Sequence, residues 1–366
     1  MKAHSAAWLA AVALAAGVAR ANRPDFREQI VVPGGRFGLG TDHIEFPLDA
    51  EGPARPVTVK PFVLDKYEVS IDRFAEFVNA TGYITEAERF GWSFVHEKAL
   101  DEAVLQTITQ AVQSVPWWLP VDNASWSHPE GAASDASGRG SHPAVHLSHA
   151  DADAFCAWAM PGGRLPTEVE WERAARGGKE GRMYAWGNKL KPRNKHRANI
   201  WQGQFPLKNT ARDGFKWAAP VDAFGPQNQW GFHGVAGNAW EWTATEWCDP
   251  ARPAPDCRGK QAPADAGDVE WVKKGGSFLC HKSYCFRYRV AARTKNTANS
   301  GAYNLGARCA RDATPEEQRL VENGSAVQVG APEVGNAVPP STEGVTDGAK
   351  VGYRPGQHAA AGADEL

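Results

Sequence analysis

The pattern of apolar and polar positions predicts short strands near the start of the chain. Residues 31–42, VVPGGRFGLGTD, are typical of a strand followed by a glycine turn. Residues 56–70, PVTVKPFVLDKYEVS, alternate as the two strands of a β-hairpin do. Beyond residue 178 the sequence predicts turns, short strands and helices of no more than about two turns.

Three helices are predicted from apolar residues at helical spacing between capping residues. In the first helix, Phe74, Phe77 and Val78 lie on one face. The third opens with the capping box Thr167-Glu168-Val169-Glu170. The three helices run from Ser70 to near Gly82, from Ser148 through Trp158, and from Thr167 to Gly177. Short strands and few helices indicate an α+β fold with little regular secondary structure.

The chain starts with the layout of a secretory signal peptide, residues 1–21. Lys2 and His4 form a polar start, residues 6–18 are mostly apolar, and residues 19–21 supply small residues for cleavage. The alternative is a short apolar terminus with no targeting role. No later stretch approaches the ~20 apolar residues of a membrane span, so we expect a mature protein without one.

Residues 22–30 are predicted to be a leader and residues 313–366 a disordered tail, which leaves one domain at 31–312. The tail carries Gly, Ala, Pro and Val without a period and almost no aromatic residues. Its last four residues, ADEL, are similar to the K/H-D-E-L retention address, with Ala363 in place of the basic residue. A chance acidic ending is the alternative. We expect residence in the endoplasmic reticulum lumen, with partial secretion.

Charge and composition narrow the possible partners. The chain has 40 basic and 42 acidic residues and a net charge of −2, which argues against a nucleic-acid partner. Its 15 Trp, 37 Gly and 25 Pro indicate many turns bridged by bulky aromatic side chains. Glycosylation sequons begin at Asn79, Asn123 and Asn323. In an oxidising lumen, most of the six cysteines are expected to be paired.

Two of the cysteines, Cys280 and Cys285, lie in the stretch GGSFLCHKSYC, residues 275–285. A disulfide between them would close a small loop and remove little entropy from the unfolded chain. Two thiolates at this spacing also suit a soft metal ion. Spacing alone leaves a structural disulfide and a metal pair equally open.

Several motifs together resemble the formylglycine-generating enzyme family, the sulfatase-modifying factors. They are GGRFGLGT, FVNATGY, GGRLPTEVEWERAARGG, YAWGN, GNAWEWT and GGSFLCHKSYCFRYRVAARTKNTANSGAYNLGARC. The resemblance covers nearly the whole predicted domain. The GRLPTE and GNAWEW types of motif are shared by a wider superfamily and indicate fold, whereas the segment around Cys280 and Cys285 is specific to the family. The resemblance implies a single α+β domain related to C-type lectins.

The resemblance also implies an oxidase. Such enzymes convert the cysteine of a C-x-P-x-R segment in unfolded sulfatases to formylglycine, using molecular oxygen, Cu(I) and a thiol reductant. Cys280 and Cys285 match the copper ligands, with Cys285 as the residue that exchanges with substrate, and the metal-free enzyme can still form a disulfide between them. Trp240 and Ser277 match residues that line the oxygen pocket. Four further residues of the matched segment are expected to shape the substrate groove, namely His281, Tyr284, Arg287 and Asn304.

Two structural calcium ions are implied by the same resemblance. Oxygen ligands alone suit Ca²⁺. The residues that match the first site are Asn199, Ile200, Asp213 and Phe215, and those that match the second are Gly234, Gly237, Ala239 and Glu241. Gly234 stands where the family has an Asn, so a side-chain ligand is absent there and the second site is expected to be weaker.

The resemblance further implies a disulfide between Cys156 and Cys309. A second disulfide of the family is absent, because its positions match Ala175 and Val290. The remaining two cysteines, Cys248 and Cys257 in WCDPARPAPDC, are then predicted to pair with each other.

Two other functions remain open at this point. One is an inactive relative that binds sulfatases or lectin-like partners, although known relatives of that kind lack the cysteine pair. The other is an oxygenase with a histidine-bound iron, for which the only histidine cluster, His142 to His149, lacks an evident metal motif.

Overall fold

The structure is a computed structural model that describes residues 25–248 and 269–331. The predicted signal peptide, the ADEL ending and Cys257 lie outside the described residues. The helices are α1 (Ile71–Thr81), α2 (Glu86–Phe90), α3 (Glu102–Leu105), α4 (His149–Ala159), α5 (Glu168–Arg176) and α6 (Pro315–Leu320). None of these, over the ranges just given, is long and apolar enough to cross a membrane.

Fourteen short strands form two four-stranded sheets and three two-stranded ones in the described residues. The first half of the chain carries β1 (Gln29–Val32), β2 (Gly35–Leu39), β3 (Arg55–Val59), β4 (Phe62–Asp65), β5 (Trp92–His96) and β6 (Trp118–Asp122). The second half carries β7 (Gly203–Gln204), β8 (Lys208–Asn209), β9 (Trp240–Glu246), β10 (Glu270–Lys274), β11 (Thr294–Thr297), β12 (Leu305–Gly306), β13 (Ala310–Asp312) and β14 (Val327–Val329).

The larger sheets have the orders β13-β4-β1-β14 and β11-β10-β9-β12. Helix α5 contacts β9 and β10 of the second sheet and also the β2-β3 ribbon. All pairs of these strands are antiparallel except β12 with β9. The small helix and sheet content and the single domain agree with the α+β class predicted from the sequence.

The three predicted helices are confirmed and correspond to α1, α4 and α5. Local hydrogen bonds fix where each of them begins. The hydroxyl groups of Ser70, Ser148 and Thr167 each accept a hydrogen bond from the backbone N–H three residues later. Helices α4 and α5 have complete capping boxes. Helices α1 and α5 end at glycines in the left-handed conformation, Gly82 and Gly177.

The predicted hairpin at residues 56–70 is wrong. Strands β3 and β4 do form, but β3 pairs with β2 and β4 pairs with β1 and β13. The chain therefore crosses from one sheet to the other at the Lys60-Pro61 link. Alternation identifies a half-buried strand but carries no information about its partner.

The domain is longer than predicted at both ends. Strand β1 begins at Gln29, and Phe26 packs against Tyr67, so part of the predicted leader belongs to the fold. The prediction of a disordered tail is wrong for residues 313–331. Thr314 caps helix α6, and β14 adds to the edge of β1. Ala313 and Val321 of this segment are buried in an apolar cluster with Val31 and Val63, which explains its order.

Candidate active site

The cysteine loop, Gly275–Cys285, follows β10 and curls back on itself. The backbone N–H of Cys280 donates to the carbonyl of Ser277, and that of Cys285 donates to the carbonyl of His281. Gly276 has a φ of +72°, and a Cβ there would lie 2.9 Å from the backbone nitrogen of Tyr288. The close approach and the positive φ both require glycine at this turn.

Cys280 and Cys285 are joined as a disulfide, with their Cα atoms 4.6 Å apart. Both are buried, at 1% and 3% exposure. Their side chains line a small cavity together with Trp117, Trp118, Phe205, Trp240, Ser277, Leu279, Tyr284 and Asn304. The structure therefore brings together the cysteine pair and four of the residues predicted from the sequence.

Ser277 and Asn304 connect the two sides of the cavity. The Asn304 amide donates to Ser277 Oγ at 2.9 Å, and the Ser277 backbone N–H donates to Cys280 Sγ at 3.3 Å. Asn304 also fixes the neighbouring strand, because its carbonyl accepts from the Trp240 N–H at 2.8 Å. Asn304 Oδ1 is buried and has no hydrogen-bond partner in the described part of the chain. An unpaired buried acceptor beside the cysteines is available to a ligand N–H.

Sequence reasoning found Tyr284 but missed Trp117 and Phe205, the other two residues of an aromatic wall of the cavity. Phe205 stacks on Tyr284 with ring centroids 4.4 Å apart, and Trp117 meets both rings edge on at 5.2 and 5.0 Å. Trp117 lies outside every motif that carries the family resemblance. In a chain of 15 Trp, its local pattern gave no signal that distinguished it from a core residue.

The ring of Trp240 also contacts a buried cation. The ammonium of Lys273, which is fully buried, lies 5.0 Å from the Trp240 ring centroid. The next residue, Lys274, is equally buried, pairs with Glu172 at 2.9 Å and lies over Trp171. The basic pair before the loop is thus internal and not a surface patch.

Two residues predicted to shape the groove lie away from the cavity. His281 is partly exposed and its Nδ1 lies 2.7 Å from Ser283 Oγ. Arg287 pairs with Asp49 at 2.5 Å. Burial raises the pKa of Asp49, and the hydrogen bond and charge of Arg287 oppose that rise.

The residues matched to the first calcium site are close together. Asp213 Oδ2 accepts from the Ile200 N–H at 3.1 Å, and Oδ1 accepts from the Phe215 N–H at 3.2 Å. Asn199 Oδ1 is buried without a hydrogen-bond partner in the described residues. An unpaired amide oxygen beside a carboxylate fits a hard cation that takes oxygen ligands.

The second set, Gly234, Gly237, Ala239 and Glu241, surrounds a buried cluster of charges. Both Glu241 oxygens accept from Arg308, at 2.6 and 2.7 Å. Sequence reasoning missed Glu68, whose Oε2 lies only 2.6 Å from where a Cβ on Gly234 would be. Burial, with Glu241 nearby, raises the pKa of Glu68 to about 8. The Glu68 carboxylate thus occupies the space next to the missing Asn side chain.

The histidine cluster does not form a metal centre. His146 contacts Ser93 Oγ at 2.8 Å and the Pro129 carbonyl at 3.0 Å, whereas His149 contacts the Thr243 carbonyl at 3.1 Å. Within residues 25–248 and 269–331, no group of three or more His, Cys, Asp or Glu side chains could hold a metal ion. His146 and His149 are therefore engaged with separate partners.

Of the two disulfides predicted to be structural, the one between Cys156 and Cys309 is present, with Cα atoms 5.2 Å apart. Ala175 and Val290, at the positions of the absent bridge, are both buried in one apolar cluster. Because Cys257 lies outside the described residues, its pairing with Cys248 stays a prediction.

Comparisons with known proteins agree with this geometry. The family model described as "Sulfatase-modifying factor enzyme 1-like domain" matches residues 15–313. A "Formylglycine-generating enzyme" of Bos taurus is 52% identical over 288 residues, covering 79% of this chain and 75% of that protein. An "Inactive C-alpha-formylglycine-generating enzyme 2" of Bos taurus is 44% identical over 284 residues, covering 78% and 88%.

Among solved structures, that of PvdO from Pseudomonas aeruginosa has a TM-score of 0.52 and 22% identity. It covers 78% of this chain and 94% of that protein, and the likeness concerns the fold alone. Identity by itself does not separate active from inactive relatives, so the function has to be argued from the site.

Proposed function

The chain belongs to the sulfatase-modifying factor family, and from that premise we propose that it is a copper-dependent oxidase that converts cysteine to formylglycine. Its substrate is the C-x-P-x-R segment of unfolded sulfatases, and its oxidant is molecular oxygen. The observation that carries this proposal is the buried Cys280–Cys285 pair beside Ser277, Asn304 and Trp240 in one cavity.

The donor set of this cavity fits Cu(I). Two cysteine sulfurs that lie close enough to form a disulfide can approach one small, soft ion once they are reduced. When bound, the copper would supply the reduction of oxygen and the oxidation of the substrate cysteine. Cys280 and Cys285 would hold it, with Cys285 as the ligand that exchanges with the substrate thiol.

The other cavity residues have roles that follow from their contacts. Asn304 Oδ1 is free to accept an N–H of the substrate backbone, while the Asn304 amide holds Ser277 against Cys280. Trp117, Phe205 and Tyr284 form an apolar wall that would exclude water from the reacting sulfur.

Calcium would stabilise the fold at two places away from the cysteines. Asn199, Ile200, Asp213 and Phe215 would supply oxygens to the first ion. At the second, Glu68 would supply the side-chain oxygen that Gly234 lacks, beside Glu241. A cation there would also favour the ionised form of Glu68.

We assign the protein to the endoplasmic reticulum lumen, with partial secretion, on the N-terminal layout and the ADEL ending. The oxidising compartment suits the Cys156–Cys309 disulfide. Asn79, Asn123 and Asn323 are all exposed, as glycan acceptors must be.

A peptide assay tests the oxidase directly. Purified protein is incubated with a C-x-P-x-R peptide, Cu(I), a thiol reductant and oxygen, and the product is analysed by mass spectrometry. We expect the mass of the aldehyde, trapped as its hydrazone, and none with a peptide that has Ser in place of Cys. If the peptide binds but never gains an aldehyde, the chain is a binding relative and the oxidase proposal is wrong.

A further inference from the structure

A second cavity, of about 130 Å³, lies on the other side of the cysteine loop. Its rim carries the cationic side chains of Lys191, Arg197 and Lys282 and the imidazoles of His196 and His281. Among the residues that the structure describes, no Asp or Glu lines it. A concave site with one sign of charge concentrates ions of the opposite sign.

The floor of this cavity is apolar, with Leu190, Ile200, Trp201 and Tyr288. Trp201 is 1% exposed, and its Nε1 has no hydrogen-bond partner in the described parts of the chain. An apolar floor under a cationic rim fits a small organic molecule that has a carboxylate at one end. Inorganic anions would leave the floor without contacts.

The second cavity and the active-site cavity are lined by different residues but are connected through the cysteine loop. His281 and Lys282 lie between Cys280 and Cys285 in the loop, so a molecule in the second cavity contacts the loop itself. Trp201 also joins the two, because its backbone N–H donates to the Cys280 carbonyl at 3.0 Å. Because both cysteines are almost fully buried and do not line the second cavity, a thiol bound there reaches their sulfurs only when this loop moves.

We propose that the second cavity binds a small carboxylate, and that a carboxylate-bearing thiol bound there is the reductant of the Cys280–Cys285 disulfide. The reductant role rests on the proposed function, which needs both cysteines as thiolates. The binding claim stands on the cavity alone.

The exchange balances with two thiol molecules. The first thiolate attacks one sulfur of the disulfide, and the electron pair of the broken S–S bond stays on the other cysteine as a thiolate. A second thiolate attacks the resulting mixed disulfide and releases the small molecule as its own disulfide. Two thiols are oxidised and two cysteines are reduced.

Binding is tested with a non-reducing pair of probes, 3-(methylthio)propionate and its uncharged amide, by calorimetric titration of the full chain. We expect the carboxylate to bind more tightly, and its affinity to fall about fivefold in each of Lys191→Gln and Lys282→Gln, as for a charge contact near the surface. Added salt should weaken binding in the unmodified chain. Lys60→Gln, at an exposed lysine of the β3–β4 link, is the control.

Equal affinities for carboxylate and amide, or for all three variants, would overturn the binding claim. Thermal unfolding of each variant is measured alongside, so that a variant that has lost its fold is not mistaken for one that has lost the binding contact.

Reduction is tested with 3-mercaptopropionate and 3-mercaptopropionamide, without copper or peptide. The opened disulfide is alkylated and quantified by peptide mass spectrometry. The rate of reduction is divided by the concentration of the reductant's thiolate form before the two reductants are compared. We expect the carboxylate thiol to react faster, and the Lys191→Gln, Lys282→Gln double variant to lose that preference while its rate with the amide is unchanged. A preference that survives in the double variant would overturn the reductant role. Because turnover is not measured, failure of the oxidase proposal would be recognised separately by the peptide assay.

Discussion

The arginine segment, residues 286–293, and the cysteine loop that precedes it use their polar groups in opposite ways. In the arginine segment each guanidinium meets a carboxylate from a distant part of the chain. The pairs are Arg287 with Asp49, Arg289 with Glu51, and Arg293 with Glu168, the last an ion pair without hydrogen-bond geometry. Around the cysteine loop, by contrast, Asn304 Oδ1 and Trp117 Nε1 are buried without partners in the described residues.

This difference separates a structural role from a functional one. Buried charges that are paired have no capacity left for a ligand, and they hold the segment in one position. Buried polar atoms that are unpaired carry an energetic cost, which a fold retains where a ligand will pair them. A run of arginines beside a cysteine motif thus serves as the support of the site and not as its binding surface.

The largest effect is expected in the cysteine loop. Cys280→Ser and Cys285→Ser should each abolish aldehyde formation, because both thiolates are needed to hold Cu(I), while the free energy of unfolding changes little. Ser283→Ala, in the same loop but outside the cavity, is the control and should remain active. Turnover is measured by peptide mass spectrometry and folding by circular dichroism. Normal turnover in either cysteine variant would contradict the copper site.

The arginine segment should respond in stability. Glu51→Gln leaves the buried Arg289 guanidinium without its charged partner, which is 2.6 Å away in the structure. We expect the free energy of unfolding to fall by about 3–5 kcal/mol, as when a buried pair is broken. Denaturant unfolding measures this. A fall of under about 1 kcal/mol, the range of surface pairs, would mean that the segment is not held in this way.

Local signals predicted the helices, and non-local contacts account for what the sequence missed. The hydroxyls of Ser148 and Thr167 cap helices within their own neighbourhood, so their pattern suffices. Strand β3 pairs with β2 instead of β4, which alternation could not reveal. At the site, the cysteine motif identified its own loop, whereas Phe205 joins the cavity from a distant segment. Glu68 was likewise hidden in a stretch typical of a strand.

A smaller effect on the free energy of unfolding is expected from a fall in pH. The arginines stay charged over this pH range, so the effect comes from other groups. Burial lowers the pKa of His146 to about 4 from its usual 6.5. The unfolded chain therefore binds a proton below about pH 6.5 and the folded one only below about pH 4, so stability falls as the pH falls between these values. We expect His146 to account for about 1–2 kcal/mol of the loss between pH 7 and pH 5.

The check is the slope of stability against pH. His146→Gln should flatten it, whereas His43→Gln, at an exposed histidine, should not. Because the slope is compared, a uniform loss of stability in the variant does not affect the result. Equal slopes in all three proteins would mean that His146 is not buried in its neutral form.

The smallest change in stability is expected at Asn304, where the contrast between the two segments is most direct. Asn304→Ala removes the hydrogen bond to Ser277 but also removes the unpaired Oδ1, and these contributions should nearly cancel, leaving less than about 1 kcal/mol. Activity should still fall, by about tenfold in kcat/KM, if Oδ1 accepts a substrate N–H, a contact worth about 1.4 kcal/mol. Asn296→Ala is the matched control, because Asn296 in β11 is also buried with an unpaired amide nitrogen but lies outside the cavity. Its kcat/KM should not change. A loss of stability at Asn304 as large as that at Glu51, with kcat/KM unchanged, would place Asn304 with the supporting residues and remove it from the substrate contacts.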